Sequence, residues 1–244
     1  MSLLDHVVEL RKRLVRSVLA ILVGAVAGWF VSELLLQALS APLVEATEAA
    51  GLGALNFPNV TSAFDVRLQI SIIVGVILAS PVWLYQAFAF LTPAFTRKEK
   101  KYVFGFFFSA VPLFLAGCAA GWVLIPHIVS LMISFAPGGT TTLVDAKGYL
   151  DFALRLMLVV GIGFVLPVFL VLLNFAGVIS GKGILKGWRW AILSVTIFCA
   201  VATPAADVIS MILLAIPMIA LYFAAVGVAL LHDRRAAKRA AAAA

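Results

Sequence analysis

Long apolar runs, each closed by a short cluster of charge, set the pattern of this chain. Taken in order, the runs predict six membrane-crossing helices at about 17–37, 64–90, 102–126, 149–175, 188–202 and 207–231. The runs are continuous rather than alternating, which is the helical and not the barrel form of a span. The fifth stands out for its length: fifteen residues at ~1.5 Å each reach roughly 22 Å, short of a hydrocarbon core about 30 Å thick.

Ahead of the first run, Leu3, Val7, Leu10 and Leu14 fall at helical spacing, with Asp5, Glu9, Lys12 and Arg16 on the other side. Ser2 followed by Asp5 is a capping pair. The expectation is a helix lying at the membrane surface that turns into the first span, a retained signal anchor rather than a cleaved leader. The stretch 38–63 is too apolar for a free loop, and Gly51, Gly53 and Pro58 interrupt it, so it is expected to fold back as an outer cap. Asp151 and Arg155, four residues apart, are expected to pair. Pro81, Pro112, Pro167 and Pro217 each remove a backbone donor inside a span and tend to kink it. The fold expected is an all-α polytopic membrane protein of six transmembrane helices, several kinked, forming a concave wall with an outer cap. It makes a single membrane domain over 1–231, and 232–244 is a basic, then all-alanine, solvated tail.

Composition narrows the class further. Of 244 residues, 64% are hydrophobic and 12% charged, which excludes an ordinary soluble domain. The formal charge of +7 invites a nucleic-acid reading, but position argues against it. Apart from Arg67, Lys147 and Arg155, every Lys and Arg sits in one of four clusters, at 11–16, 97–101, 182–189 and 234–239. Every second gap between spans is therefore basic, which places both termini on the cytoplasmic side and gives an even number of spans. Cys118 and Cys199 lie inside apolar runs and are expected to serve core packing. No metal-binding helix, phosphate loop or nucleophile elbow is present, so neither an enzyme, a metal nor a cofactor is expected. The middle thirds of the spans carry no ionisable residue, which counts against the alternative of a solute or ion transporter.

What chemistry remains lies at the inner surface. Glu9 is followed by Arg11, Lys12 and Arg13; Glu99 is flanked by Arg97, Lys98, Lys100 and Lys101. Two readings stay open: local neutralisation, such as Glu9 with Arg13, or a pair of carboxylates awaiting a basic partner.

The ordered set Glu9-Leu10-Arg11-Lys12-Arg13-Leu14, Ser40-Ala41-Pro42-Leu43, Ser80-Pro81-Val82-Trp83-Leu84-Tyr85-Gln86, Phe90-Leu91-Thr92-Pro93-Ala94-Phe95 with Glu99-Lys100-Lys101, Tyr149-Leu150-Asp151-Phe152, Thr203-Pro204 before Asp207, and Leu214-Ala215-Ile216-Pro217-Met218 covers essentially the whole chain. It resembles the TatC family, the multispanning receptor subunit of the twin-arginine protein translocase. The resemblance implies recognition of N-terminal twin-arginine signal peptides on folded cargo, and export driven by the proton gradient. It also implies assembly with TatA- and TatB-type single-span subunits in an oligomeric complex, contact with membrane lipids, and location in the bacterial cytoplasmic (inner) membrane. By the same resemblance Glu9 and Glu99 bind the arginine pair, Leu10, Arg11, Phe90 and Pro93 shape that surface, Pro42 belongs to the outer cap, and the fifth span contacts the TatB-type helix. The chain departs from the family at Val165, Met211 and Phe223, where polar side chains are usual. Thr203 and Asp207 are left as the remaining polar groups of a partner-contact spot, so that either docking there is apolar or the chain is a divergent member.

Overall fold

The computed structural model describes residues 3–49, 55, 56, 59, 61–91, 100–134, 144–203 and 208–242. Its elements run α1 (Leu3–Ala49), β1 (Leu55–Asn56), α2 (Ser62–Leu78), α3 (Ser80–Leu91), α4 (Lys100–Ser134), β2 (Val144–Asp145), α5 (Ala146–Phe175), α6 (Gly181–Lys186), α7 (Trp188–Ala202) and α8 (Val208–Ala242). Contacts divide the chain into two compact units, Met1–Trp83 with Gly117–Val160, and Leu84–Ala116 with Gly161–Ala244.

In both units many polar side chains turn inward and many large apolar ones outward. Ser32 is fully buried, and Ser71, Ser80, Asn174 and Ser210 nearly so, whereas Phe30 is 80% and Val201 83% exposed. Water would penalise that distribution; hydrocarbon favours it, because a polar group facing lipid has nothing to bond with. Among the described residues four helices are long and apolar enough to cross a membrane, or five if the bent pair α2–α3 counts as one; α7 is shorter. The chain is a helical multi-pass membrane protein.

The first unit is built on glycine. A Cβ added to Gly75 would lie 2.6 Å from the Ile21 carbonyl oxygen, and one on Gly28 2.6 Å from that of Ser71. Gly24 meets Gly75 while Gly28 meets Ser71, so α1 and α2 run antiparallel with their backbones in direct contact, the small-residue packing typical of membrane helices. Toward the far end of this pair, Arg67 lies with its guanidinium carbon 4.7 Å from the Trp29 ring centroid, and its Nε donates to Ser32 Oγ at 3.0 Å. Ser32 Oγ in turn donates to the Trp29 carbonyl. The Tyr149 hydroxyl donates to the Leu39 carbonyl at 2.8 Å and ties α5 to α1. The strands β1 and β2 form a two-residue parallel ladder, Leu55 opposite Val144.

Several expectations change here. The surface helix does not turn into the first span: α1 is one helix from Leu3 to Ala49, because nothing in 3–37 breaks it. Residues 38–49 of the expected cap continue that helix through Pro42. Leu39, Leu43 and Thr47 give them a buried stripe, and the Thr47 hydroxyl donates to the Leu43 carbonyl. Much of 50–60 lies outside the described residues. The run over 64–90 is bent by 57° between α2 and α3, at Ala79, two residues before Pro81. In the last turn of α2 the Val76 carbonyl accepts the Trp83 indole N–H at 2.9 Å, so a side chain serves a backbone group at the helix end. Asp151 and Arg155 form no ion pair; Lys147 pairs with Asp65 at 2.8 Å instead. An exposed i,i+4 pair is worth only a few tenths of a kcal/mol, about 0.3–0.5, too little to dictate the rotamer of Arg155.

In the second unit Phe88 stacks on Phe169 at 4.5 Å between ring centroids, joining α3 to the later half of α5. Helix α5 stops at Gly177, whose φ of 72° is left-handed, with the Gly177 N–H donating back to the Asn174 carbonyl. Ser180 then caps α6 by accepting the Gly183 N–H at 3.1 Å. Ile184, Tyr222, Val226 and Ala229 make a small core that joins α6 to α8. The tail, expected to be solvated or frayed, is exposed over 234–239 and helical through Ala242, as a run of alanine favours.

Candidate functional site

Glu9 sits in the first turns of α1, where the helix places Arg13 on the same face one turn on. Arg13 Nε donates to Glu9 Oε1 at 3.0 Å, and Arg13 Nη2 donates to the same oxygen. The second oxygen, Oε2, is buried and has no hydrogen-bond partner among the described residues. Half of the carboxylate is thus neutralised locally and half retains unused acceptor capacity. An unmet carboxylate oxygen is costly, so this edge favours an incoming donor.

Around Glu9 the helix surface is open. Leu10 and Arg11 are exposed, and the expected apolar stripe is bare at Val7 and Leu14, 62% and 60% exposed. The segment therefore offers an apolar strip flanked by cations, with one carboxylate between them. Phe90, in the last turn of α3, is partly buried. Pro93 and Glu99 lie outside the described residues, as does Asp207. The structure thus brings Glu9 together with Arg13, Leu10 and Arg11.

The partner-contact residues divide by burial. Thr203 is buried; its N–H and its hydroxyl both donate to the Cys199 carbonyl, closing the end of α7. Val165 is 3% exposed and packs inside the fold, whereas its neighbour Leu166 is 49% exposed. Met211 is partly buried near the start of α8, and Pro42 is partly exposed within α1. Cys118 and Cys199 are free and buried, Cys199 with its sulfur 3.8 Å from that of Met218.

One polar constellation is missing from the sequence reading. Asp233, beyond the apolar part of α8, accepts the Gly181 N–H through Oδ2 at 2.6 Å and the Asn174 amide through Oδ1 at 3.0 Å. Beside it, His232 stacks on Phe175 with ring centroids 3.8 Å apart. The signal for it was present: Asp233 is the one acid in a basic tail, and Ser180-Gly181 opens a helix.

Comparison with known proteins follows the same lines. The family model described as TatC, Sec-independent protein translocase protein (TatC), matches residues 5–217. The Sec-independent protein translocase protein TatC of Xylanimonas cellulosilytica is 46% identical over 246 aligned positions, covering all of this chain and 89% of that one. The chloroplastic TATC protein of Arabidopsis thaliana is 34% identical, over 91% of this chain and 64% of its own. A crystal structure of the twin-arginine translocase receptor TatC in DDM superposes with a TM-score of 0.79 at 26% identity, over 92% of this chain and 99% of that one. With a family match over nearly its whole length and close relatives at this coverage, the chain belongs to the TatC family of Sec-independent protein translocase components.

Proposed function

We propose that this TatC-family chain is the subunit of its translocase that recognises twin-arginine signal peptides, with Glu9 and Glu99 as acceptors for the two guanidinium groups. The observation that carries the reading is the Glu9 carboxylate, whose Oε2 is buried and has no partner among the described residues, beside an exposed apolar strip. A guanidinium fork bonds a carboxylate through two parallel N–H groups, which an ammonium does not match. Two such acceptors distinguish Arg-Arg from Lys-Lys. Leu10, Arg11, Phe90 and Pro93 shape the surface on which the rest of the signal lies.

In this reading the chain sits in the bacterial cytoplasmic membrane with six spans and both termini on the cytoplasmic side, with α7 as a short fifth span. The basic clusters support that orientation. TatA- and TatB-type single-span subunits join it for export of folded cargo driven by the proton gradient. Pro42, Thr203, Asp207, Val165 and Met211 act as structural or partner-contact positions.

The test is direct binding of a signal peptide to the purified protein, with Arg-Arg and Lys-Lys forms compared. Glu9→Gln and Glu99→Gln are each expected to weaken Arg-Arg binding about tenfold or more, the worth of a charged hydrogen bond. Undiminished binding by the double variant overturns the proposal.

A further inference from the structure

A second site lies in the second unit and uses neither Glu9 nor Glu99. Helices α5 to α8 enclose a cleft of about 490 Å³. Its walls are apolar, with Leu166, Leu170, Ile184, Ala191, Val195 and Tyr222 among them. The Tyr222 hydroxyl is spent on the Ile184 carbonyl at 2.6 Å, so of the polar groups lining the cleft only Ser194 keeps a side-chain donor. Such walls suit a hydrocarbon occupant and reject a polar solute.

The cleft is also small. An unbranched hydrocarbon chain is slender enough to enter it. Leu166 and Leu193, on the helices that border it, are exposed. The surrounding surface is thus one that hydrocarbon covers.

Charge specifies what the chain is attached to. Lys182 and Lys186 are one turn apart on α6, next in sequence to Gly183 and Gly187, both of which line the cleft. Both lysines are exposed, and neither joins an ion pair among the described residues. The carboxylate of Asp233, bonded to the first residue of α6, is engaged by Gly181 and Asn174. Where α6 begins, a Cβ on Gly181 would lie 2.8 Å from the Leu230 nitrogen, so this end of α6 is seated on α8 at the root of its basic extension, Arg234, Arg235, Lys238 and Arg239.

The geometry points to a binding site for one anionic phospholipid, an acyl chain in the α5–α8 cleft and its phosphate on Lys182 and Lys186. Apolar walls, and exposed lysines next in sequence to the cleft-lining glycines of α6, match the two ends of such a molecule.

The test is native mass spectrometry of the delipidated full chain, titrated with phosphatidylglycerol, with phosphatidylcholine, and with soluble glycerol phosphate. Wild type is expected to prefer phosphatidylglycerol by a factor of roughly 5–30, the contribution of one or two lysines near an anionic group, and to bind no glycerol phosphate. Lys182→Gln/Lys186→Gln should bring that ratio close to one while phosphatidylcholine binding persists. Ala191→Trp should weaken both lipids; circular dichroism and gel filtration check that it folds, and Ser194→Phe replaces it if it does not. Equal affinity of wild type for the two lipids overturns the proposal, as does an unchanged ratio in the double lysine variant. So does undiminished lipid binding by a folded cleft-filling variant, or crosslinking of a partner helix or a second copy into the cleft through Ser194→Cys.

Discussion

Asp233 Oδ2 accepts the Gly181 N–H at 2.6 Å, joining α8 beyond its apolar part to the first residue of α6 across 52 positions of sequence. The same carboxylate holds the Asn174 amide at the end of α5. Two helix ends are therefore fastened to α8 by one side chain. Asp233→Ala should cost about 1–3 kcal/mol, because the Gly181 and Asn174 donors lose their acceptor together. Limited proteolysis of the 174–187 segment would read this as faster cleavage than in wild type; an equal rate would show that water replaces the carboxylate.

Gly75 lies against Ile21 and Ala25 with no room for a side chain. Gly75→Val should lower the thermal midpoint, at a cost of about 1–3 kcal/mol or more for overpacking. Gly227 has nothing within 4 Å of the position a Cβ would take, so Gly227→Ala should leave stability unchanged or raise it by about 0.5–1 kcal/mol through helix propensity. A thermal-shift series in one detergent compares the two directly.

Arg67 makes two contacts at once, its plane over Trp29 and its Nε on Ser32. A lysine keeps the charge and loses the fork. Arg67→Lys should therefore destabilise the protein by about 1–2 kcal/mol, the sum expected from a cation–π contact and a hydrogen bond. Trp29→Leu in the same background should add less than it does alone, since the two residues share an interaction. Full additivity in thermal denaturation would show that the stacking contributes nothing.

If α7 is the fifth span, as proposed, its fifteen residues reach about 22 Å at ~1.5 Å each, against a hydrocarbon core near 30 Å. Mismatch of this kind is relieved in part by local thinning of the bilayer. Four apolar residues inserted after Val195 should impair export of a twin-arginine reporter while leaving the protein in the membrane. Normal export would remove any role for the short span.

The helical, membrane-embedded character is legible in the sequence because it rests on continuous apolar runs, and each run carries its signal locally. Helix ends are legible where a breaker stands, as at Gly187 and Thr203 around α7. Continuity is not: nothing in 38–49 announces that α1 passes through Pro42, since the Thr47 hydroxyl and the buried Leu39–Leu43 stripe that support it act only once the helix exists. The Glu9–Arg13 pair follows from spacing alone, whereas the unpartnered Oε2 depends on burial, which spacing does not report. Asp233 stands out in the sequence as a lone acid, but its role is hidden for another reason. Its partners lie 52 and 59 residues away, and a lone acid among arginines reads as neutralised until the fold supplies Gly181 and Asn174.

Trp83 decides what kind of joint the α2–α3 bend is. Its indole reaches back to the Val76 oxygen from beyond the break, so a side chain of α3 closes the last turn of α2. The bend is accordingly braced by a side chain laid across its corner, and is not a bare hinge of backbone.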